Sequence, residues 1–340
     1  MRISRTVLFL TLLIGVYSVF CQQKHGERMP EYQWIKITEN AGFAPRDGAG
    51  AIVFKNRMWL FGGWNPSDKV HFPKTCNNEV WSSKDGKKWN LITYAPWEVR
   101  HTAGYIVFKG YMWIIGGDAN QHHYQNDIWK SSDGINWECV SDNVAWGPRV
   151  LHYTVVFKDK IWVIGGQTLP QFAPAPEIFY SDVWCSEDGK NWKKVADNCE
   201  WAPRGMIGGG TVFKGRIWIC GGGTYDTPGK PERIFYNDVW SSKDGINWES
   251  VCKNTPWHPR QYHDVAVFDG KLWVMEGYHR EGGNRKDVWY SEDGKNWIEV
   301  PDTPWPARHA ASVFVYDNAL WMVAGNNMTP DVWKLVRIKK

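Results

Sequence analysis

The chain has 340 residues, 24 Trp, 14 Tyr and 14 Phe, 22% charged residues, 33 Gly and 18 Pro. That composition excludes disordered, collagen-like and coiled-coil classes and describes an aromatic, turn-rich globule. The formal charge of +4 falls to about +2 when Arg2 and Arg5 are set aside as part of a leader, too little to make nucleic acid or an anionic membrane the main partner.

Residues 1–21 read as a basic start, the apolar run Thr6 to Phe20, then Cys21, the pattern and length of a secretory signal peptide. Cleavage after Ser18 or Cys21 fits the small-residue requirement. Cys21 also resembles the lipidated cysteine of a bacterial lipoprotein, with Phe20 where a small residue is usual. The expectation is a secreted or periplasmic protein with no transmembrane segment, alternatively one anchored through a lipid on Cys21. Six further cysteines, Cys76, Cys139, Cys185, Cys199, Cys220 and Cys252, occupy unrelated places, so both pairing and free buried thiols remain open. None forms a CxxC or zinc-spaced cluster.

From residue 31 to 340 one unit repeats six times. It starts near an Arg preceded by an aromatic three residues upstream: Phe43 and Arg46, Trp97 and Arg100, Trp146 and Arg149, Trp201 and Arg204, Trp257 and Arg260, Trp305 and Arg308. These arginines are about 52 residues apart on average, a period in the range of propeller blades. Each Arg leads into an apolar strand a and a charged turn. Strand b follows, centred on Trp59, Trp113, Trp162, Trp218, Trp273 or Trp321 and ending in Gly-Gly, with Glu276 and Ala324 replacing the first glycine in the last two copies. After a variable loop, strand c carries an acid two residues before a Trp: Glu79, Asp127, Asp182, Asp238, Asp287 and Asp331. An Asp-Gly turn then leads to a strand d with its own Trp, a strong hairpin signal. The last copy lacks strand d, and Gln33–Ile37, around Trp34, supplies the orphan that completes it. The expected fold is therefore all-β: a six-bladed β-propeller of four-stranded antiparallel blades, closed by the N-terminal strand. Of the 24 Trp, only Trp64 has no place in the repeat.

The double glycine, downstream Trp and Pro-Arg start resemble the kelch-repeat β-propeller family over essentially the whole chain after the leader. The Ser-x-Asp-Gly turns also resemble the Asp-box of sialidases, though with Asp and Gly adjacent. Exported kelch propellers include sialic-acid mutarotases and copper radical oxidases related to galactose oxidase. The oxidase resemblance implies Tyr and His ligands and a Cys cross-linked to Tyr. His152-Tyr153 and Tyr262-His263 offer the residue types, but no cysteine stands beside them.

Antiparallel connectivity sends the b–c and d–a loops to one end of the ring, and these long, dissimilar loops are where a rigid scaffold carries function. The short a–b and c–d turns should carry no site. The loop end contributes Trp64, His71, Phe72, His123, Tyr124, Phe172, Tyr225 and Tyr278 as stacking or hydrogen-bonding groups for a polyhydroxylated ligand. Asp47, His101 and His309 directly follow the blade arginines, with His152 and His263 deeper. Four histidines near one opening suit proton transfer or a metal site, while His152 and His263 equally suit packing between blades. Candidate catalytic groups are His101, His309 and Glu276, the last as a loop-borne acid or a carboxylate paired with Arg280. The six arginines, Arg46, Arg100, Arg149, Arg204, Arg260 and Arg308, either pair with the six strand-c acids or present a ring that reads an anionic sugar. The expected function is binding and processing of an acidic sugar or glycan by acid–base chemistry of mutarotase, hydrolase or lyase type, by a monomer with no cofactor required. The alternative is a non-catalytic lectin-like or protein-interaction propeller.

Overall fold

A computed structural model describes residues 32–67, 75–119, 122–205 and 208–338. The leader read in residues 1–21, with Cys21, and the loop residues His71 and Phe72 lie outside the described residues. The described chain forms six four-stranded antiparallel sheets, each ordered a-b-c-d from the axis outward. Blade 1 comprises Gly50–Val53, Met58–Phe61, Glu79–Ser83 and Asn90–Tyr94. Blade 2 comprises Gly104–Phe108, Tyr111–Ala119, His123–Ser131 and Glu138–Ser141. Blade 3 comprises Tyr153–Phe157, Lys160–Ile164, Val183–Ser186 and Trp192–Ala196. Blade 4 comprises Gly210–Phe213, Arg216–Gly223, Phe235–Ser242 and Trp248–Cys252. Blade 5 comprises Asp264–Phe268, Lys271–Met275, Val288–Ser291 and Trp297–Val300. Blade 6 takes Ser312–Tyr316, Ala319–Val323 and Val332–Arg337 from the C-terminal end and Tyr32–Thr38 from the N-terminal end. The two ends pair in the register Trp34 to Leu335. Innermost strands touch all the way round, the sixth against the first, so the ring is closed.

The repeated tryptophans hold the blades in three distinct ways. Each strand-b indole donates to the carbonyl of the aromatic residue five positions earlier, at 2.8–3.0 Å. Each strand-c indole donates to the acid two residues before it, at 2.7–2.8 Å. The third way joins neighbouring blades. A Cβ on the turn glycines Gly86, Gly134, Gly189, Gly245 or Gly294 would stand 2.2–2.4 Å from the strand-b indole of the preceding blade, Trp321, Trp59, Trp113, Trp162 or Trp218. These glycines also have positive φ, so the turn both demands the left-handed region and lies flush against a ring. At the closing blade, among the described residues, Tyr32 stands at this place, edge-on to Trp273 with ring centres 4.9 Å apart.

The Asp-Gly turns are held by their own aspartates. Asp133 accepts from the backbone N–H groups of Ile135 and Asn136, from the Asn136 amide and from the Ser131 hydroxyl, at 2.8–3.0 Å. Asp133→Ala should cost about 1–2 kcal/mol in a urea titration, the loss of several charge-assisted bonds at a solvated turn. No change would mean that the turn is held by packing of Gly134 alone.

Among the described residues, Cys139, Cys185, Cys199 and Cys220 are free thiols, and Cys252 is disulfide-bonded. No helix of the described chain is long and apolar enough to cross a membrane.

Candidate functional site

The six blade arginines are structural. Each is 2% exposed or less. Arg46 meets Glu79 at 2.6 Å, and the other five each grip an aspartate, Asp127, Asp182, Asp238, Asp287 or Asp331, through both terminal nitrogens at 2.5–3.2 Å. Each also donates to the carbonyl at the first position of the double-glycine motif. Planar bidentate pairing uses the guanidinium edges that an anionic ligand would need. Of the two readings of these arginines, pairing with the strand-c acids is the one the geometry carries, and none of the six is among the residues lining the cleft.

At the loop end a cleft of about 220 Å³ sits over the axis. Its walls come from the b–c loops and from the residues that follow each blade arginine. Trp64 pairs backbone to backbone with Asp47 at its rim, and its indole lies along His101 with ring centres 6.5 Å apart. Opposite stand Phe172 and Tyr225, edge to face at 5.0 Å. Tyr225 is backed by Arg233, whose guanidinium lies 4.1 Å from that ring and donates to Gln261 and to the Tyr262 hydroxyl. The floor consists of Thr102, Leu151, Tyr262 and Ala310, each two residues after a blade arginine and each at a φ between +51° and +58°. These are non-glycine residues in the left-handed region, a conformation that costs free energy and clusters at functional sites. Backbone bonds from Thr102 to Gly48, Gly48 to Ala310 and Ala310 to Tyr262 tie this floor into a collar. Below it the axial channel, about 230 Å³, runs between the innermost strands.

The polar groups of the cleft are acidic or uncharged. Asp47 is buried, and its carboxylate accepts from the Asn326 amide at 3.1 Å; burial nevertheless pushes its pKa up to about 7. His101 is buried and pushed down to about 4 by that burial. Its Nδ1 faces the Asp118 carbonyl at 3.3 Å and Cys76 Sγ at 3.5 Å, so the ring proton sits on Nδ1. His309 is also pushed down to about 4, by burial first and by the charge of Arg233 second. Among the described residues, no Lys or Arg lines the cleft.

Other residues singled out in the sequence lie elsewhere. His152 and His263 are buried between blades, Nε2 against the carbonyls of Ile115 (3.1 Å) and Cys220 (2.8 Å), and burial pushes both down to about 3. Tyr124 is buried, its hydroxyl donating to the Leu169 carbonyl and accepting from the Leu169 N–H, which makes it a brace for the blade-3 loop. His123 is exposed and paired with Glu98 at 2.9 Å. Tyr278 packs beside His309 and Arg233, behind the cleft wall. Glu276 requires the largest correction. It is fully buried beside Asp264, whereas Arg280 pairs with Asp226 at 3.2 Å, so Glu276 is neither loop-borne nor a surface partner of Arg280. Among the described residues no three His, Cys, Asp or Glu groups converge as a metal ion requires, the funnel histidines included. The residues the sequence reading missed are Asn284, which faces His309 Nδ1, and the left-handed collar, whose Tyr262 entered there only as a copper-site residue type. The collar's only sequence trace is its constant offset from the blade arginines, where Gly48 hints at the backbone requirement.

No family model matches the chain. Among curated proteins it is similar to Ras guanine nucleotide exchange factor F of Dictyostelium discoideum, 28% identical over 169 residues, covering 47% of this chain and 14% of that protein. Beta-scruin of Limulus polyphemus is 22% identical over 220 residues, 63% of this chain and 23% of the relative. Leucine-zipper-like transcriptional regulator 1 homolog of Drosophila melanogaster is 24% identical over 147 residues, 40% and 14% of the two chains. The match therefore spans less than a quarter of each of these relatives. Scruin and the transcriptional regulator homolog are kelch-repeat proteins. The chain is a six-bladed β-propeller of four-stranded blades, similar to these kelch-repeat proteins.

Proposed function

We propose that this chain is an exported carbohydrate-recognition propeller whose loop-end cleft takes one uncharged sugar ring. The observation that carries this reading is the cleft lining. The rings of Trp64, Phe172, Tyr225 and Tyr262 surround Asp47, Gln167, His309 and Asn326, with no Lys or Arg among the described residues that line the cleft. Aromatic faces stack on the apolar faces of sugars, and carboxyl, amide and imidazole groups exchange hydrogen bonds with hydroxyls. A volume of about 220 Å³ is below that of drug-sized pockets and suits a single ring. Buried acids and consumed arginines disfavour a carboxylate-bearing sugar, so the acidic ligand expected from the sequence gives way to a neutral one. The secretory-signal pattern read in residues 1–21 supports recognition outside the cytoplasm.

Saturation-transfer NMR with a panel of neutral and uronic sugars tests the reading. Neutral sugars should bind, and Trp64→Ala should weaken them roughly tenfold through lost stacking, with little change in thermal stability because Trp64 is outside the blade repeat. Preferential binding of uronic or sialic acids, or silence across the panel, would refute it. A protein-interaction reading is favoured by the kelch-repeat relatives and by Ile178 and Ile234, both exposed on the b–c loops. Silence with all sugars would leave that reading in possession of the loop face.

A further inference from the structure

Each blade exposes an outer edge, and five of these edges are guarded by charge. A strand at the rim of a sheet presents unpaired N–H and C=O groups, which proteins shield from other chains with charged side chains. Exposed Lys or Glu stands on the outer strand of blade 2 (Glu138), blade 3 (Lys193 and Lys194), blade 4 (Glu249), blade 5 (Glu299) and blade 6 (Lys36). Blade 1 ends instead on Asn90–Tyr94, which carries no charge and leaves Leu91 38% exposed. Leu91 is the second residue after Trp89, the place that Lys194 holds after Trp192 in blade 3. Among the described residues no strand pairs beyond this edge. A bulge between strands c and d recurs in blades 1 to 4, so it gives blade 1 no special protection.

The turn that leads into the same strand breaks its own pattern. In blades 2 to 5 the third residue after the turn aspartate is Asn136, Asn191, Asn247 or Asn296, whose amide donates to the second carboxylate oxygen at 2.7–2.8 Å. Blade 1 has Lys88 there, directly after Lys87, with Lys84 ahead of Asp85. Asp85 still accepts from the Lys87 and Lys88 N–H groups at 2.9 Å, but the amide clamp is replaced by a cation. Three exposed lysines thus stand against one aspartate, where no other Asp-Gly turn carries more than one lysine. The pairing of Met58 with Ser83 sets Arg57 beside Lys84 as a fourth cation. We propose that the outer edge of blade 1 is a docking site for an extended acidic peptide of a partner protein, which adds to the blade as a fifth strand. Main-chain hydrogen bonds to Asn90–Tyr94 hold that strand, Leu91 packs against one of its apolar side chains, and the lysines select for carboxylates. Strand d runs away from the turn, so an antiparallel partner brings its C-terminal end to Lys84, Lys87 and Lys88. The site lies at the turn end of the ring, where the short connections suggest none, and it is independent of what the cleft binds.

Fluorescence anisotropy of the purified protein with a labelled synthetic peptide tests this, the peptide alternating Thr and Val over the length of the edge and ending in three Asp. It should bind at one site per chain and weaken about tenfold between about 50 and about 300 mM salt, while a peptide ending in three Lys should not bind. Leu91→Lys, which copies blade 3, should weaken binding at least about tenfold and leave the thermal midpoint unchanged. Lys84→Ser, Lys87→Ile and Lys88→Asn together copy the blade-2 turn and should remove most of the salt dependence with a similar loss of affinity. N-methylation of alternate peptide amides removes the strand hydrogen bonds and should abolish binding, and hydrogen exchange at Asn90–Tyr94 should slow only with the unmethylated peptide. Binding that survives N-methylation or Leu91→Lys would overturn the proposal and reduce the site to a patch of charge. Absence of binding would overturn it outright. Preference for phosphatidylserine vesicles over the acidic peptide would overturn it in favour of a lipid surface. Self-association of the protein that Leu91→Lys abolishes would overturn it in favour of a second copy on the same edge.

Discussion

Arg100→Ala is expected to destabilise the propeller by about 3–5 kcal/mol, the range for breaking a buried ion pair from one side. Arg100 is fully buried and holds both Asp127 oxygens at 2.8 Å, the Gly116 carbonyl at 2.9 Å and the Glu98 carbonyl at 3.0 Å. Truncation strands an acid and two carbonyls together. Burial alone would push the Asp127 carboxyl up, but the bonds and charge of Arg100, with the Trp129 indole, outweigh it and hold the acid below the ordinary carboxylate range. A depressed native pKa contributes stability that is present above the unfolded value and lost as pH falls through the native one. The variant should therefore lose that acid-side slope as well as stability near neutrality. Urea titrations of wild type and Arg100→Ala at pH 3 and pH 7 check both, and Arg100→Lys should recover only part of the difference because an ammonium cannot bridge two oxygens in a plane. A loss below about 1 kcal/mol at pH 7 would place the pair in the class of solvated ion pairs.

The same arginines show where the sequence was legible and where it was not. Their spacing, the three Trp positions per blade and the missing last strand specify blade number, strand order and ring closure, because each is a local pattern repeated until only one closed arrangement satisfies it. Six acids at a constant distance from six arginines also announce the ion pairs. Chemistry at the opening is not local. Asp47 and Asn326 are 279 positions apart and meet only because the ring closes. His309 and Asn284 come from different blades, and Asn284 carries no signal distinguishing it from any loop residue. The left-handed collar of Thr102, Leu151, Tyr262 and Ala310 is likewise a backbone property that side-chain type does not encode. Glu276 stood out as a break in the glycine pattern, and the break is real: it carries a φ of +53° where blades 1–4 have glycine. Direction is what the pattern lacked, since a residue at the end of strand b can turn outward to the loops or inward beside the axis.

Glu276→Gln should accordingly stabilise the protein, and more so the higher the pH. Glu276 is fully buried, and that burial together with the neighbouring Asp264 carboxyl pushes its pKa well above the ordinary value. Asp264, on the wall of the axial channel, is itself pushed up to about 7 by burial. A raised native pKa means that the folded state keeps protons the unfolded chain has released. The contribution of such a group is fully present below the unfolded pKa near 4 and is lost as pH rises toward the native one. The amide is nearly isosteric and does not titrate, so wild type and variant should match at pH 4 and separate by roughly 2–4 kcal/mol at pH 8. Asp264→Asn should act in the same direction, and the double variant should gain less than the two single gains together, because removing either carboxyl relieves the repulsion between them. The charge of Arg308 pulls Glu276 the other way. If Glu276→Gln proves less stable than wild type at pH 8, that attraction outweighs burial and Glu276 is an ionised partner of Arg308. Equal stability at both pH values would mean that the unfolded chain and the folded channel hold the proton alike, which full burial next to a second carboxyl does not allow.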